Sequence, residues 1–251
     1  MNSFFLRKKR VLGLLFVGLI TLIAGCAFPT NRPLAVLEYE GRAQVAKPKN
    51  LIIFMRGIGG SHESFEKEGL VAELIEKAPG YDVVAPNAHF GYYLGRSLIN
   101  RLKEDVIEPA KLKGYEKIWL VGISMGGLGS VLYCTEYPED IAGVYLIAPV
   151  LGYDEVQKEI VAAGGLSQWK AGEYEMDDEW QKGIWHWIQT KLNSAHTPPL
   201  YLGFGKSDPY ADGQYALADQ LDKSRVIAID GGHDYKTFKS LWTLFLEQNT
   251  L

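Results

Sequence analysis

Two kinds of apolar spacing alternate along the chain. Short continuous apolar runs recur, and between them lie longer stretches whose apolar residues fall three or four positions apart. The first kind reads as strands buried on both faces of a sheet, the second as helices with one buried face. Residues 51–55, 81–85, 117–121, 141–148, 200–204 and 225–229 are the strand candidates, and 65–77, 97–113, 125–137, 211–221 and 235–246 the helix candidates. Residues 34–39 form a weaker strand candidate, with an antiparallel partner expected near 42–46. Pro86 is expected to stop a strand, Pro138 to end a helix and Pro109 to disturb one, because proline has no N–H to donate. Strands separated by helices imply an α/β fold with a mostly parallel sheet and helices on both faces.

The pattern changes between residues 152 and 196. This stretch holds four of the six tryptophans, Trp169, Trp180, Trp185 and Trp187, and an acidic cluster at 173–179. It reads as a small helical cap inserted over the C-terminal edge of the sheet, where open α/β sheets bind ligands. Its aromatic residues suit either the core of the insert or a pocket for an acyl or aromatic group. Residues 87–93 follow a strand and are candidates for the cleft wall or for simple packing.

The N-terminus does not fit the α/β alternation. Arg7, Lys8, Lys9 and Arg10 precede an almost wholly apolar run at 11–24. As a helix that run reaches only ~21 Å at ~1.5 Å per residue, against a bilayer core of ~30 Å. A charged head followed by a short apolar stretch is the layout of an export signal. Ile23-Ala24-Gly25-Cys26 resembles the lipobox of bacterial lipoproteins. The resemblance implies a signal peptide at 1–25, diacylglycerol on the Cys26 sulfur, a lipidated tether at 26–33 and a globular domain over 34–251. Ala27 is not aspartate, which by the same resemblance points to an outer membrane facing the periplasm. The remaining cysteine, Cys134, reads as a small buried apolar residue on a helix.

Composition narrows the function. Hydrophobic residues make up 47% of the 251 positions, so a disordered chain is excluded. The formal charge of −4 argues against a general nucleic-acid binder, which needs a basic surface. His62, His89, His186 and His196 form no metal-ligand pattern, and no metal or organic cofactor is implied.

The strongest chemical signal is Gly122-Ile123-Ser124-Met125-Gly126, between a strand and a helix. A sharp strand-to-helix turn exposes the serine but crowds the backbone, so the flanking positions favour glycine. In this context the chain, from about residue 34 to 246, resembles the α/β-hydrolase fold superfamily. That resemblance implies an ordered serine, acid and histidine, with Ser124 as nucleophile, His233 after the last strand as base, and Asp208 after strand 200–204 as acid. Asp154 and Asp212 are the rival acids, while Asp234 suits a helix cap better. Arg56-Gly57-Ile58-Gly59-Gly60 resembles the superfamily's His-Gly loop. The backbone N–H groups of Ile58 and Met125 would then form an oxyanion hole. Arg56 stands where histidine is usual, and is expected to pair with a nearby acid or else to bind an anionic substrate.

The resulting expectation is a hydrolase of small-molecule carboxylic esters or thioesters, held at the membrane through Cys26. A peptidase, amidase or acyltransferase using the same residues is a second reading, because fold alone does not choose the chemistry. A non-catalytic envelope binding protein is the third.

Overall fold

The computed structural model describes residues 30–42, 49–152, 154–176 and 178–251. The expected signal peptide, Cys26 and nearly all of the strand expected at 42–46 lie outside these residues. Seven strands form one sheet: β1 Val36–Tyr39, β2 Lys49–Met55, β3 Tyr81–Pro86, β4 Tyr115–Ile123, β5 Gly143–Ile147, β6 Leu200–Gly205 and β7 Val226–Ile229. Their spatial order is β1-β3-β2-β4-β5-β6-β7. All neighbours are parallel except β1, which runs antiparallel to β3 with Val36 opposite Pro86. Among the described residues the antiparallel neighbour of β1 is β3.

The apolar runs go to the centre because they can be buried on both faces. Along β2, Leu51, Ile53 and Met55 point into one core, and Ile52 and Phe54 into the other. This is the period-two alternation of a strand, with both faces apolar. Phe54 stacks on Phe65 and meets Trp242 edge-on, which ties the second core to the flanking helices.

Ten α-helices surround the sheet among the described residues. The expected helix at 65–77 is two: α1 Ser64–Lys67 and α2 Leu70–Lys77. Gly69 between them has φ +83°, a conformation open to glycine that ends one helical path and starts another. The short helix α3 Phe90–Leu94 follows β3. The expected disturbance at Pro109 lies just upstream of it. Helix α4 Leu98–Leu102 widens into a π turn at Lys103–Ile107 before α5 Glu108–Leu112. Pro109 has no N–H for the carbonyl one turn back, and the widened turn lets Glu108 N–H reach the Lys103 carbonyl instead.

Helix α6 Met125–Glu136 leaves the glycine-flanked turn at Ser124. The insert contributes α7 Asp154–Ala162 and α8 Trp180–Lys191, and the chain ends with α9 Ala211–Ala218 and α10 Tyr235–Glu247. Helix α8 packs on α6, and α7 on α9. Trp169 and Trp185 are buried in the first core, and Trp180 and Trp187 pack against it. The tryptophans of this segment thus pack into the core on one face of the sheet. Cys134 is a free, buried thiol on α6, and burial pushes its pKa up. None of the described helices is long and apolar enough to cross a membrane.

One buried charge joins the π turn to the rest. The Asp140 carboxylate accepts hydrogen bonds from Lys103 Nζ and Tyr133 Oη, each at 2.7 Å, and from Lys111. Burial opposes its charge, but these three donors together outweigh burial and hold its pKa below the ordinary value. Asp140→Ala would strand a buried hydroxyl and two ammonium groups. It is expected to lower stability by ~2–4 kcal/mol in urea unfolding at pH 7. The native contribution is full above the unfolded carboxylate value of ~3.9 and is lost as pH falls through the lower folded value. The gap between wild type and variant should therefore close in acid.

Candidate active site

The site begins with a forced turn. Ser124 sits between β4 and α6 at φ +55°, ψ −118°, a backbone region rarely adopted by residues with a side chain. Two bonds hold it there: Ser124 N–H donates to the Ile147 carbonyl at 2.9 Å, and its own carbonyl accepts from Gly127 N–H at 2.9 Å. The flanking glycines are required by space. A Cβ on Gly122 would lie 2.4 Å from the Gly126 carbonyl oxygen, and one on Gly126 only 1.9 Å from the Met55 carbonyl oxygen. The serine is 7% exposed, with its hydroxyl turned to the end of the sheet where β6 and β7 also finish.

Two other turns bring their side chains to it. His233 Nε2 lies 2.9 Å from Ser124 Oγ, and His233 Nδ1 lies 2.7 Å from Asp208 Oδ2. An ionised carboxylate can only accept, so the ring proton belongs on Nδ1 and Nε2 is left to accept from the serine hydroxyl. The Asp208 side chain is fully buried, and its other oxygen accepts from Tyr210 N–H at 2.8 Å. The loops after β6 and β7 approach this closely because Gly205 has no side chain: a Cβ there would lie 2.4 Å from the Gly231 carbonyl oxygen. Tyr210 and Phe238 each meet the His233 ring edge-on at 5.1 Å and fix its plane.

Of the rival acids, Asp212 lies in the first turn of α9, and the backbone of Asp154 starts α7. Asp234 caps α10, accepting from Thr237 N–H at 2.9 Å.

The loop after β2 supplies the facing wall. A Cβ on Gly57 would lie 3.2 Å from Ser124 Cβ and 3.8 Å from its Oγ, so the loop runs directly past the nucleophile. Among the described residues, neither Ile58 N–H nor Met125 N–H makes a backbone hydrogen bond. For Met125 this follows from its place at the start of a helix. Arg56 braces the loop from within. Its guanidinium donates to Asn87 Oδ1 at 2.7 Å, to the Ile58 carbonyl at 3.2 Å and to the Gly57 carbonyl at 3.3 Å.

The expected acid partner for Arg56 is absent among the described residues, and a neutral amide takes its place. Burial lowers the guanidinium's pKa, opposed by the Tyr93 and Tyr235 hydroxyls. Burial and then the Arg56 charge also hold His89 below its ordinary value. The 87–93 segment packs tightly: Tyr92 is buried, and Tyr93 Oη donates to the Met125 carbonyl at 3.0 Å. Among the described residues no three His, Cys, Asp or Glu side chains gather into a possible metal site.

The sequence profile of the α/β hydrolase fold matches residues 50–185. This chain belongs to the α/β-hydrolase fold family. The family's fold is also found in solved structures of low identity. An S-formylglutathione hydrolase from Agrobacterium tumefaciens is 13% identical, with a TM-score of 0.62, covering 88% of this chain and 90% of its own. The S-formylglutathione hydrolase of Staphylococcus aureus is 14% identical, with a TM-score of 0.59 and 82% of each chain covered. Est1E from Butyrivibrio proteoclasticus is 18% identical, with a TM-score of 0.57, covering 87% of this chain and 95% of its own. No curated protein matches the chain.

Sequence reasoning missed Asn87 as the partner of Arg56, Tyr93 as the prop on Met125, and Tyr210 and Phe238 as the walls of His233. No local motif marks these four; each acts through a contact distant in sequence. The close approach at Gly126 gives a direct test. Gly126→Ala should lower the urea midpoint by the equivalent of ~3 kcal/mol or more, because backbone must move. Gly59→Ala, which meets nothing within 4 Å, should stay within ~0.5 kcal/mol of wild type.

Proposed function

We propose that this chain is a membrane-anchored serine hydrolase of carboxylic esters or thioesters. The observation that carries the proposal is the unbroken chain of hydrogen bonds from Asp208 through His233 to Ser124. In this reading Ser124 Oγ attacks the acyl carbonyl while His233 Nε2 takes its proton. Buried Asp208 holds the ring in the correct tautomer and stabilises the imidazolium. The N–H groups of Ile58 and Met125 receive the oxyanion. His233 then protonates the leaving alcohol or thiol, and water releases the acid from the acyl-enzyme by the same route reversed. The similar structures named above include S-formylglutathione hydrolases, and Est1E was solved with ferulic acid bound, which favours thioester and ester over amide substrates.

The proposal extends to location. The lipobox-like Ile23-Ala24-Gly25-Cys26 supports acylation of Cys26 and residence in a bacterial envelope, with Ala27 favouring the outer membrane facing the periplasm.

Fluorophosphonate treatment read by intact mass should add one label per chain, and none to Ser124→Ala. Folded wild-type protein that takes no label would overturn the serine-hydrolase reading. Ser124→Ala and His233→Ala should each lower kcat on a p-nitrophenyl ester by ~10³-fold or more.

Arg56 is proposed as a positioning residue for the oxyanion loop. Arg56→Met should cut kcat by ~10- to 100-fold with a smaller change in KM. Arg56→Lys should recover only part, since an ammonium cannot reproduce the fork of donors. Steady-state kinetics of both variants would separate loop positioning from loss of substrate affinity, which would instead raise KM at constant kcat.

A further inference from the structure

We propose that α3 docks on the lipid bilayer through Phe90 and Leu94, so that the serine works on acyl esters of amphiphiles held in that membrane. This rests on the acylation of Cys26 proposed above.

The topology places the start of the described chain and the Ser124 site at one edge of the sheet. β1 is the single antiparallel strand, and its first residue, Val36, lies opposite Pro86 at the end of β3. The chain therefore enters the sheet at the C-terminal edge. Ser124, Asp208 and His233 follow the C-terminal ends of β4, β6 and β7 at that same edge.

Before β1 the chain lies on α3. Tyr92 Oη donates to the Arg32 carbonyl at 3.2 Å, and Leu34 N–H donates to Asp105 Oδ2 at 2.8 Å. The Thr30 side chain packs so tightly on Gly95 that a Cβ there would lie 2.5 Å from Thr30 Oγ1. Four residue steps separate Cys26 from Thr30, a reach of ~14 Å at most for extended chain. An acyl group on Cys26 sinks into the bilayer and holds this end of α3 close to the headgroups.

The surface of α3 suits that position. Gly91 and Tyr92 face inward, while Phe90 and Leu94, four residues apart on one side of the helix, are 41% and 69% exposed. Single exposed apolar residues are ordinary, but here two share a face at the point where the tether leaves. Exposed Arg32 lies beside them and matches anionic headgroups. The helix is also joined to the reacting serine, since Tyr93 Oη donates to the carbonyl of Met125. An ester carbonyl near the headgroups is thereby presented at the edge that carries Ser124.

The test uses the full chain, with Cys26 acylation read by intact mass, in vesicles of phosphatidylethanolamine and phosphatidylglycerol. An environment-sensitive fluorophore is attached to Leu94→Cys or, as control, to Leu112→Cys. Leu112 is 90% exposed but lies before β4, at the opposite edge of the sheet. Cys134 is buried and does not compete for the label. The probe at position 94 should shift to the blue and be quenched by lipid-borne quenchers, and the probe at 112 should not. Leu94→Glu should turn over a soluble short-chain ester as wild type does and lose ~10-fold or more on a vesicle-borne ester. Acylated protein with position 94 as water-exposed as 112, or equal loss on both esters, overturns the docking and leaves the hydrolase reading standing. An unmodified Cys26 overturns the anchor and the docking with it.

Discussion

The contact between Gly126 and the Met55 carbonyl is the constraint on which the site depends. The first turn of α6 lies against the end of β2 with no room for a single methyl group. That approach sets the Ser124 turn and the loop after β2 side by side, with Gly57 against the Ser124 side chain. It also forces the serine into its positive-φ turn, and the bonds to Ile147 and Gly127 repay the strain. The two cores on either side of the sheet act as the frame that keeps these backbones in place.

Asp208 and His233 are brought together by a second close approach of the same kind. Gly205 lets the loop after β6 lie on the loop after β7, so Asp208 reaches His233 from a separate strand end. Between Tyr210 and Phe238 the imidazole has little freedom except along its hydrogen bonds. Each member of the chain of hydrogen bonds is held by something other than its reacting partner: Ser124 by its turn, Asp208 by Tyr210 N–H, His233 by two rings. Preorganisation of this sort is what makes a serine hydroxyl a useful nucleophile.

Arg56 shows how a departure from a family's usual residue can be absorbed. In the proposed mechanism the loop's donor is a backbone N–H, so the side chain at 56 is free to change if it still holds the loop. The guanidinium does so by binding Asn87 and two carbonyls at once, which a planar fork of donors allows. The segment between β5 and β6 extends the two-core frame, since its tryptophans pack into the core on one face of the sheet and α8 seats on the helix that follows Ser124.

Much of this protein is legible in local pattern. Apolar runs of strand length, separated by helical spacing, determine the α/β class, because a strand buried on both faces must be apolar throughout. The glycines around Ser124 mark a crowded strand-to-helix turn, and the family resemblance points to His233 and, among rival acids, to Asp208. Boundaries were less legible: a helix read as continuous at 65–77 is broken by Gly69, and Pro109 acts through a π turn upstream of itself. That Asp208 reaches His233 is a matter of approach between loops distant in sequence, and only the fold supplies it. The same holds for Asn87 on Arg56, for the rings around His233, and for the antiparallel entry of β1. Spacing along a chain records which face a residue occupies within its own element, whereas these contacts depend on how separate elements are stacked.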